Sequence, residues 1–95
     1  MQKVVSPNYV RKVRIQNSEV HVKLRFIVQY AQNSAFFDVN PNGQVDIEGT
    51  IDHGSYQAVD PIKKITVTYP EEGSEILSVR EFNDVQGVQN FHYEV

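Results

Sequence analysis

The segment from residue 38 to residue 49, DVNPNGQVDIEG, carries oxygen-bearing side chains at nearly the spacing of a calcium-binding loop. Such a loop follows D-x-[DN]-x-[DN]-G-x5-E, in which carboxylate and amide oxygens surround the ion and a final glutamate supplies two of them. The side chains that match as ligands are Asp38, Asn40, Asn42 and Asp46. The final position is Gly49, however, and Glu48 comes one residue early, which on a strand would turn its carboxylate to the opposite face.

The same residues have a second interpretation as a plain turn. Asn40 precedes Pro41, whose ring fixes its own φ, and Gly43 closes a four-residue turn with a backbone that tolerates positive φ. This turn would form a hairpin between a strand containing Asp38 and a strand containing Asp46. The turn is the favoured interpretation, and calcium is the one cofactor that the sequence suggests.

A second polar loop spans residues 52–57, DHGSYQ, and has the chemistry of a sugar site. An aromatic ring can cover the apolar face of a sugar while carboxylate and amide groups bind its hydroxyls. The residues that would do so are Asp52, His53, Tyr56 and Gln57. In the alternative interpretation, Tyr56 only anchors the loop to the core.

Positive charge is concentrated in residues 1–30, which hold six Lys or Arg and one acid, whereas residues 31–95 hold three Lys or Arg and eleven acids. If Asn17-Ser18 forms a two-residue hairpin loop, one strand face collects a basic patch. The patch would consist of Lys12, Arg14, His21, Lys23 and Arg25. The segment from Gln44 to Asp52 offers an acidic complement through Asp46, Glu48 and Asp52.

The relative position of these two charged stripes decides what they could do. Neighbouring strands in one sheet would neutralise each other and leave a solvated face. Stripes on opposite faces would favour head-to-tail homo-oligomers, or docking on a polyanion or an anionic membrane surface. Nucleic acid is disfavoured among polyanions, because the net charge is −3 and no stacking aromatics interleave with the basic positions on their own face.

Catalytic signatures are missing from the sequence. The three histidines, at positions 21, 53 and 92, lie on separate segments without a second ligand at a metal-binding spacing. No serine lies in a G-x-S-x-G elbow, no glycine-rich phosphate loop is present, and the absence of cysteine excludes thiol chemistry and disulfides. We therefore expect a protein that is not an enzyme.

Alternating apolar residues indicate the elements that would carry these loops and stripes. In residues 20–30, apolar side chains occupy every second position, which is typical of a strand with one wet face. The same alternation and the intervening turn residues predict strands at about 9–16, 19–30, 35–40, 44–52, 62–69, 75–82 and 88–95. The fold expected is an all-β antiparallel sandwich of about seven to eight strands, with immunoglobulin-like or jelly-roll topology.

Ninety-five residues, 40% of them apolar, predict a single domain spanning residues 1–95. The chain shows neither the apolar region of a signal peptide nor a membrane-spanning stretch, so a cytoplasmic or leaderless protein is expected, unless a signal has been removed. The favoured function is a non-catalytic, lectin-like module that binds a carbohydrate or a similar polar ligand through its loops, and its expected partner is a carbohydrate or a protein. The alternatives are a homo-oligomeric assembly or adhesion module, and a polyanion or membrane-surface binder.

Overall fold

The computed structural model describes residues 9–52, 54, 57–83 and 85–95, and this part of the chain contains strands and no helix. The strands are β1 (Tyr9–Gln16), β2 (Leu24–Tyr30), β3 (Ser34–Val39), β4 (Gln44–Glu48), β5 (Thr50–Asp52), β6 (Gln57–Val59), β7 (Ile62–Thr68), β8 (Ile76–Glu81) and β9 (Val88–Glu94). The predicted strand at 44–52 is divided into β4 and β5, and the short β6 was not predicted.

Two main sheets form the sandwich. One has the order β4-β1-β9, and the other has the order β3-β2-β7-β8. All pairs are antiparallel except β1 with β9, which run parallel. A small hairpin of β5 and β6 extends from the three-stranded sheet. The prediction of an all-β sandwich is confirmed.

The core lies between the two sheets and is built from alternate residues of each strand, because successive strand side chains point to opposite faces. Leu24, Phe26 and Val28 of β2 are almost wholly buried. From the other strands the core receives Val10, Val13, Ile15, Val39, Ile47, Ile62, Ile65 and Val67, with Phe82 just beyond β8. Burying each large apolar side chain contributes roughly 1.5–3 kcal/mol, so this cluster is the main source of stability.

The connection from β1 to β2 crosses between the sheets, so the predicted hairpin at Asn17-Ser18 is wrong. Asn17 is fully buried, and its side-chain nitrogen donates to the carbonyl oxygens of Val22 (2.8 Å) and Val39 (3.0 Å). Its side-chain oxygen accepts from the backbone nitrogen of Glu19 at 2.9 Å. These bonds fold residues 17–23 into a crossover, and β2 begins at Leu24 rather than at residue 19, with Val20 61% exposed.

The predicted turn at residues 40–43 forms, with the positive φ at Asn42 rather than at Gly43, but the turn crosses between sheets. Gly43 donates its backbone N–H to the Asn40 carbonyl at 2.9 Å, and Asn42 has a φ of 62°. Because β3 belongs to the four-stranded sheet and β4 to the three-stranded sheet, the predicted hairpin between them is wrong. Turn chemistry therefore reverses the chain here without pairing the strands on either side.

Gly49 marks the point where one extended segment changes partners, from β1 beside β4 to β6 beside β5. Its backbone N–H donates to the Arg11 carbonyl at 2.7 Å, and its carbonyl accepts from the Asp60 N–H at 2.9 Å. A Cβ at this position would lie only 2.7 Å from the Val10 carbonyl oxygen. The close approach of three backbones therefore requires glycine.

Asp60 is a buried carboxylate that fastens the turn between β2 and β3. Only 1% of Asp60 is exposed, and its oxygens accept from the Gln32 backbone N–H at 2.8 Å and from the Asn33 amide at 3.3 Å. Burial raises the pKa of the nearby Tyr30 hydroxyl, and the negative charge of Asp60 raises it further. Asp60 therefore holds the end of the sheet where β2 turns back into β3.

Candidate functional site

The outer face of the four-stranded sheet carries an apolar row that runs across all four strands. The alternation that buries Phe26 and Val28 turns Ile27 outward. Ile27 pairs with Phe36 of β3 on one side and with Thr66 of β7 on the other, and Thr66 pairs with Val79 of β8. We call the four residues Phe36, Ile27, Thr66 and Val79 the apolar row.

The large side chains of the apolar row are accessible to solvent. Phe36 is 57% exposed, Val79 48% and Ile27 38%. Ile76, at the start of the same edge strand and paired in register with Thr68, is 63% exposed. Single exposed apolar residues are common on protein surfaces, but contiguous ones are typical of interaction surfaces.

An ion pair holds one end of the apolar row in place. Arg25 Nε donates to Asp38 Oδ1 at 2.7 Å and Nη2 donates to Oδ2 at 3.0 Å, which is a two-pronged arrangement of fixed geometry. The guanidinium carbon of Arg25 also lies 4.1 Å from the centre of the Phe36 ring. The hydrogen bond from Arg25 lowers the pKa of Asp38. The ion pair fixes the position of Arg25, and the cation–π contact with Arg25 in turn restricts the Phe36 ring.

The opposite flank of the apolar row is polar and carries charges of both signs. Its members are paired in register across the sheet: Ser34 with Gln29, Gln29 with Lys64, and Lys64 with Glu81. The face therefore has an apolar centre between two polar borders, which is the usual composition of a protein contact surface.

The outer face of the three-stranded sheet is polar instead. Lys12 and Arg14 of β1 point outward beside the acidic β4, and Asp46 accepts from Arg14 at 2.8 Å and approaches Lys12 Nζ at 3.3 Å. On the other side, His92 Nε2 lies 3.0 Å from Gln16 Oε1. The basic stripe on β1 and the acidic stripe on β4 therefore lie on neighbouring strands of one sheet, and not on opposite faces of the protein.

The five predicted basic residues do not form one patch, because β1 and β2 lie in different sheets. Lys12 and Arg14 lie on the outer face of the three-stranded sheet, and Arg25 lies on the outer face of the other. His21 and Lys23 are exposed in the crossover between them. The structure thus does not gather these five side chains into one basic surface, and binding to a polyanion or a membrane surface stays a prediction.

The pKa of Asp46 provides a direct check of this ion pair. The hydrogen bond from Arg14, with a smaller contribution from Lys12, lowers the pKa of Asp46 from 3.8 to about 2. Because the folded-state pKa lies below the ordinary value, the pair stabilises the fold above about pH 4 and loses its effect as the pH falls toward 2.

We expect Arg14→Gln to raise the pKa of Asp46 in an NMR titration of its carboxyl carbon. Arg25→Gln, on the other sheet, should leave it unchanged, and titration of wild-type Asp46 near 3.8 would contradict the pairing.

The predicted calcium ligands are not assembled. Asp38 and Asp46 lie on the two opposite outer faces of the sandwich, each engaged by an arginine, and Asn42 is exposed in the turn between them. The described residues contain no cluster of three His, Asp or Glu side chains that could hold a metal. Calcium binding at Asp38, Asn40, Asn42 and Asp46 remains a prediction.

The predicted sugar site falls largely outside the described residues. His53 and Tyr56 are among those that the structure does not describe. The backbones of Asp52 and Gln57 pair in the hairpin of β5 and β6, which brings the two ends of the loop together. Carbohydrate recognition therefore remains a prediction.

No family model, curated protein or solved structure matches the chain. Function has to be inferred from the chain's own geometry. Over residues 9–52, 54, 57–83 and 85–95, no helix is long and apolar enough to cross a lipid bilayer. The most developed candidate for a binding surface is the face that carries the apolar row.

Sequence reasoning missed this surface, although the sequence contains its signal. In the run Leu24-Arg25-Phe26-Ile27-Val28, Ile27 breaks the alternation, because a large apolar residue occupies a position whose side chain points to solvent. Phe36 and Phe37 are likewise adjacent, so both cannot face the core. Two such violations on neighbouring strands indicate an apolar outer surface.

Proposed function

We propose that the protein is a non-catalytic self-association module, in which two copies pack the outer faces of their four-stranded sheets against each other. The observation that carries this proposal is the apolar row, which places a large exposed apolar side chain on three of the four strands, with Thr66 on the fourth. Exposed Phe and Ile side chains gain most from burial, since each square ångström of apolar surface removed from water contributes about 25 cal/mol. The arginine-braced Phe36 is the expected anchor.

The pattern of this face is compatible with a symmetric dimer. A two-fold axis parallel to the strands, between β2 and β7, places Phe36 against the partner's Val79 and Ile27 against the partner's Thr66. The same axis sets Gln29 against the partner's Lys64, and Arg25 against the partner's Thr68. No like charges oppose each other, so the polar borders do not repel.

The size of the face sets the expected strength of the dimer. Four strands spaced about 4.8 Å apart make a face roughly 19 Å wide, and strands of six residues make it about 20 Å long. Such a face is small beside the roughly 800 Å² that each partner buries in a stable interface. We therefore expect a reversible dimer, with a Kd on the order of 10 µM.

Sedimentation velocity of wild type and Phe36→Ser tests the proposal. Wild type should shift from monomer to dimer with rising concentration, and Phe36→Ser should remain monomeric at concentrations at least about tenfold higher, since it loses most of the anchor's apolar area. Phe36 is mostly exposed, so this variant should fold normally. Val88→Ser is the matched control, because Val88 is 48% exposed but lies on β9 of the other sheet.

Salt distinguishes this apolar contact from association through charged stripes. Raising ionic strength shortens the screening length to about 3 Å at 1 M and weakens exposed charge pairs. Dimerisation through the apolar row should persist, whereas association through Lys12, Arg14 and an acidic stripe should be lost. Wild type that stays monomeric at millimolar concentration, or a dimer that Val88→Ser disrupts as much as Phe36→Ser, would contradict the proposal.

A further inference from the structure

A cleft opens along the seam between the two sheets, where β8 is the edge strand of one sheet and β9 is the edge strand of the other. Ser78 Oγ and the Tyr93 hydroxyl are hydrogen-bonded across this seam. Toward the end of β8 the seam widens into a cleft of about 450 Å³. Small-molecule sites range from about 300 to 1,000 Å³, so the space suits a small organic ligand.

An arginine occupies a core-facing position at this cleft. Arg80 pairs in register with Ile65, which is fully buried, so the alternation of β8 directs Arg80 to the inner side of the sheet. Its guanidinium carbon lies 4.7 Å from the centre of the Phe82 ring and 5.5 Å from that of Phe91. The two rings are 5.2 Å apart and tilted by 55°. Phe82 and Phe91 therefore pack against each other, and the guanidinium of Arg80 lies over both rings at the exposed mouth of the seam.

The guanidinium retains hydrogen-bonding capacity. Arg80 Nη1 donates to the Glu81 carbonyl oxygen at 3.1 Å, whereas a guanidinium has five N–H groups. Among the side chains that the structure describes, no carboxylate lies within ion-pairing distance of Arg80. The Glu81 carboxylate accepts from Asn83 at 2.9 Å, and strand alternation points Glu81 to the outer face, where its register partner is Lys64.

The lining of the cleft selects the charge of its ligand. Arg80 is the one cationic side chain among the described lining residues. Glu81 lines the outer edge of the cleft, where its carboxylate, which points toward the outer face, adds negative charge. A dianion such as phosphate would need more than one cation to offset its charge. A single carboxylate instead matches one guanidinium, whose planar fork donates two parallel hydrogen bonds.

We propose that this cleft binds small organic acids in which one carboxylate is attached to a flat apolar body. Arg80 donates to the carboxylate, the partly exposed ring of Phe91 contacts the body, and the side chains of Asn83 and Gln89 form the polar rim. Phe82 is 6% exposed and supports Phe91 from the core side. The site is separate from the apolar row and does not depend on self-association.

Titration with benzoate, followed by amide NMR shifts, tests this proposal. Benzoate is small, so its Kd should be on the order of 1 mM. We expect saturable shifts at residues 80–83 and 89–91. Arg80→Gln should weaken binding at least tenfold. Arg80→Lys should weaken it less, because it keeps the charge but not the planar fork. Arg80 is exposed, and a dispersed amide spectrum should show that its variants remain folded.

Three controls make the result specific. Arg11→Gln removes an exposed arginine of β1 and should leave benzoate binding unchanged. Benzamide has the same shape without the charge and should not bind, and inorganic phosphate should not compete. Phe36→Ser should bind benzoate as wild type does. Equal binding of benzamide, or unchanged affinity in Arg80→Gln, would overturn the proposal, as would the absence of saturable benzoate shifts.

Discussion

Replacing Asn17 with alanine should lower the free energy of unfolding by about 3 kcal/mol. Asn17 is fully buried and bonds three backbone groups, the carbonyls of Val22 and Val39 and the N–H of Glu19. Alanine would leave these groups without their partner, and each buried group left unpaired costs about 1–3 kcal/mol. Because a small domain has only about 5–15 kcal/mol of stability, this is a large fraction of the total.

Urea denaturation provides the measurement, with Asn90→Ala as the matched control. Asn90 is exposed on β9, so its replacement should change stability by less than about 0.5 kcal/mol. If Asn17→Ala were no more destabilising than Asn90→Ala, the crossover between the sheets would not depend on this asparagine.

Gly49→Ala should destabilise the fold by about 2–4 kcal/mol, at the upper end of overpacking effects. A Cβ would lie 2.7 Å from the Val10 carbonyl oxygen and 3.2 Å from that of Asp60. Both oxygens are backbone atoms, and the adjacent Arg11 carbonyl and Asp60 N–H are hydrogen-bonded to Gly49, so neither oxygen can move aside as a flexible side chain would. The steric strain of the added Cβ would lie at the junction of β4, which pairs with β1, and β5, which pairs with β6.

Thermal or urea unfolding of Gly49→Ala should be compared with that of Thr50→Ala. Thr50 is exposed at the neighbouring position, so its variant controls for the loss of β propensity, which is worth about 1 kcal/mol at most. Hydrogen exchange in Gly49→Ala should accelerate first at the amides of residue 49 and Asp60. Equal stability of the two variants would show that the backbones are not as close as described.

The alternation of apolar residues was sufficient to predict the class of fold and much of the core. Leu24, Phe26 and Val28 were placed on one face from the sequence, and all three are buried. The same rule failed at Val20 and Val22, which continue the alternation but are exposed in the crossover. The alternation of apolar residues shows which side chains share a face. It does not show where β2 begins, because the hydrogen bonds of Asn17 hold residues 17–23 in the crossover.

Strand partners were not predictable from local turns. β1 pairs with β4 and β9, whose residues lie some thirty to eighty positions away along the chain. The turns at Asn17-Ser18 and Asn40–Gly43 suggested hairpins, because such sequences reverse the chain direction. In a sandwich, a reversal can equally carry the chain to the opposite sheet, and the choice depends on how the whole core closes. This is why the basic patch and the calcium ligands were not assembled.

Concentration-dependent amide NMR spectra test most directly whether the outer face of the four-stranded sheet mediates self-association. On dilution from millimolar to micromolar protein, amides of Ile27, Phe36, Thr66 and Val79 should shift together along one binding curve. Amides of Arg14, Asp46 and His92, on the opposite outer face, should not move. Spectra that are invariant with concentration, or shifts confined to the three-stranded sheet, would contradict the account.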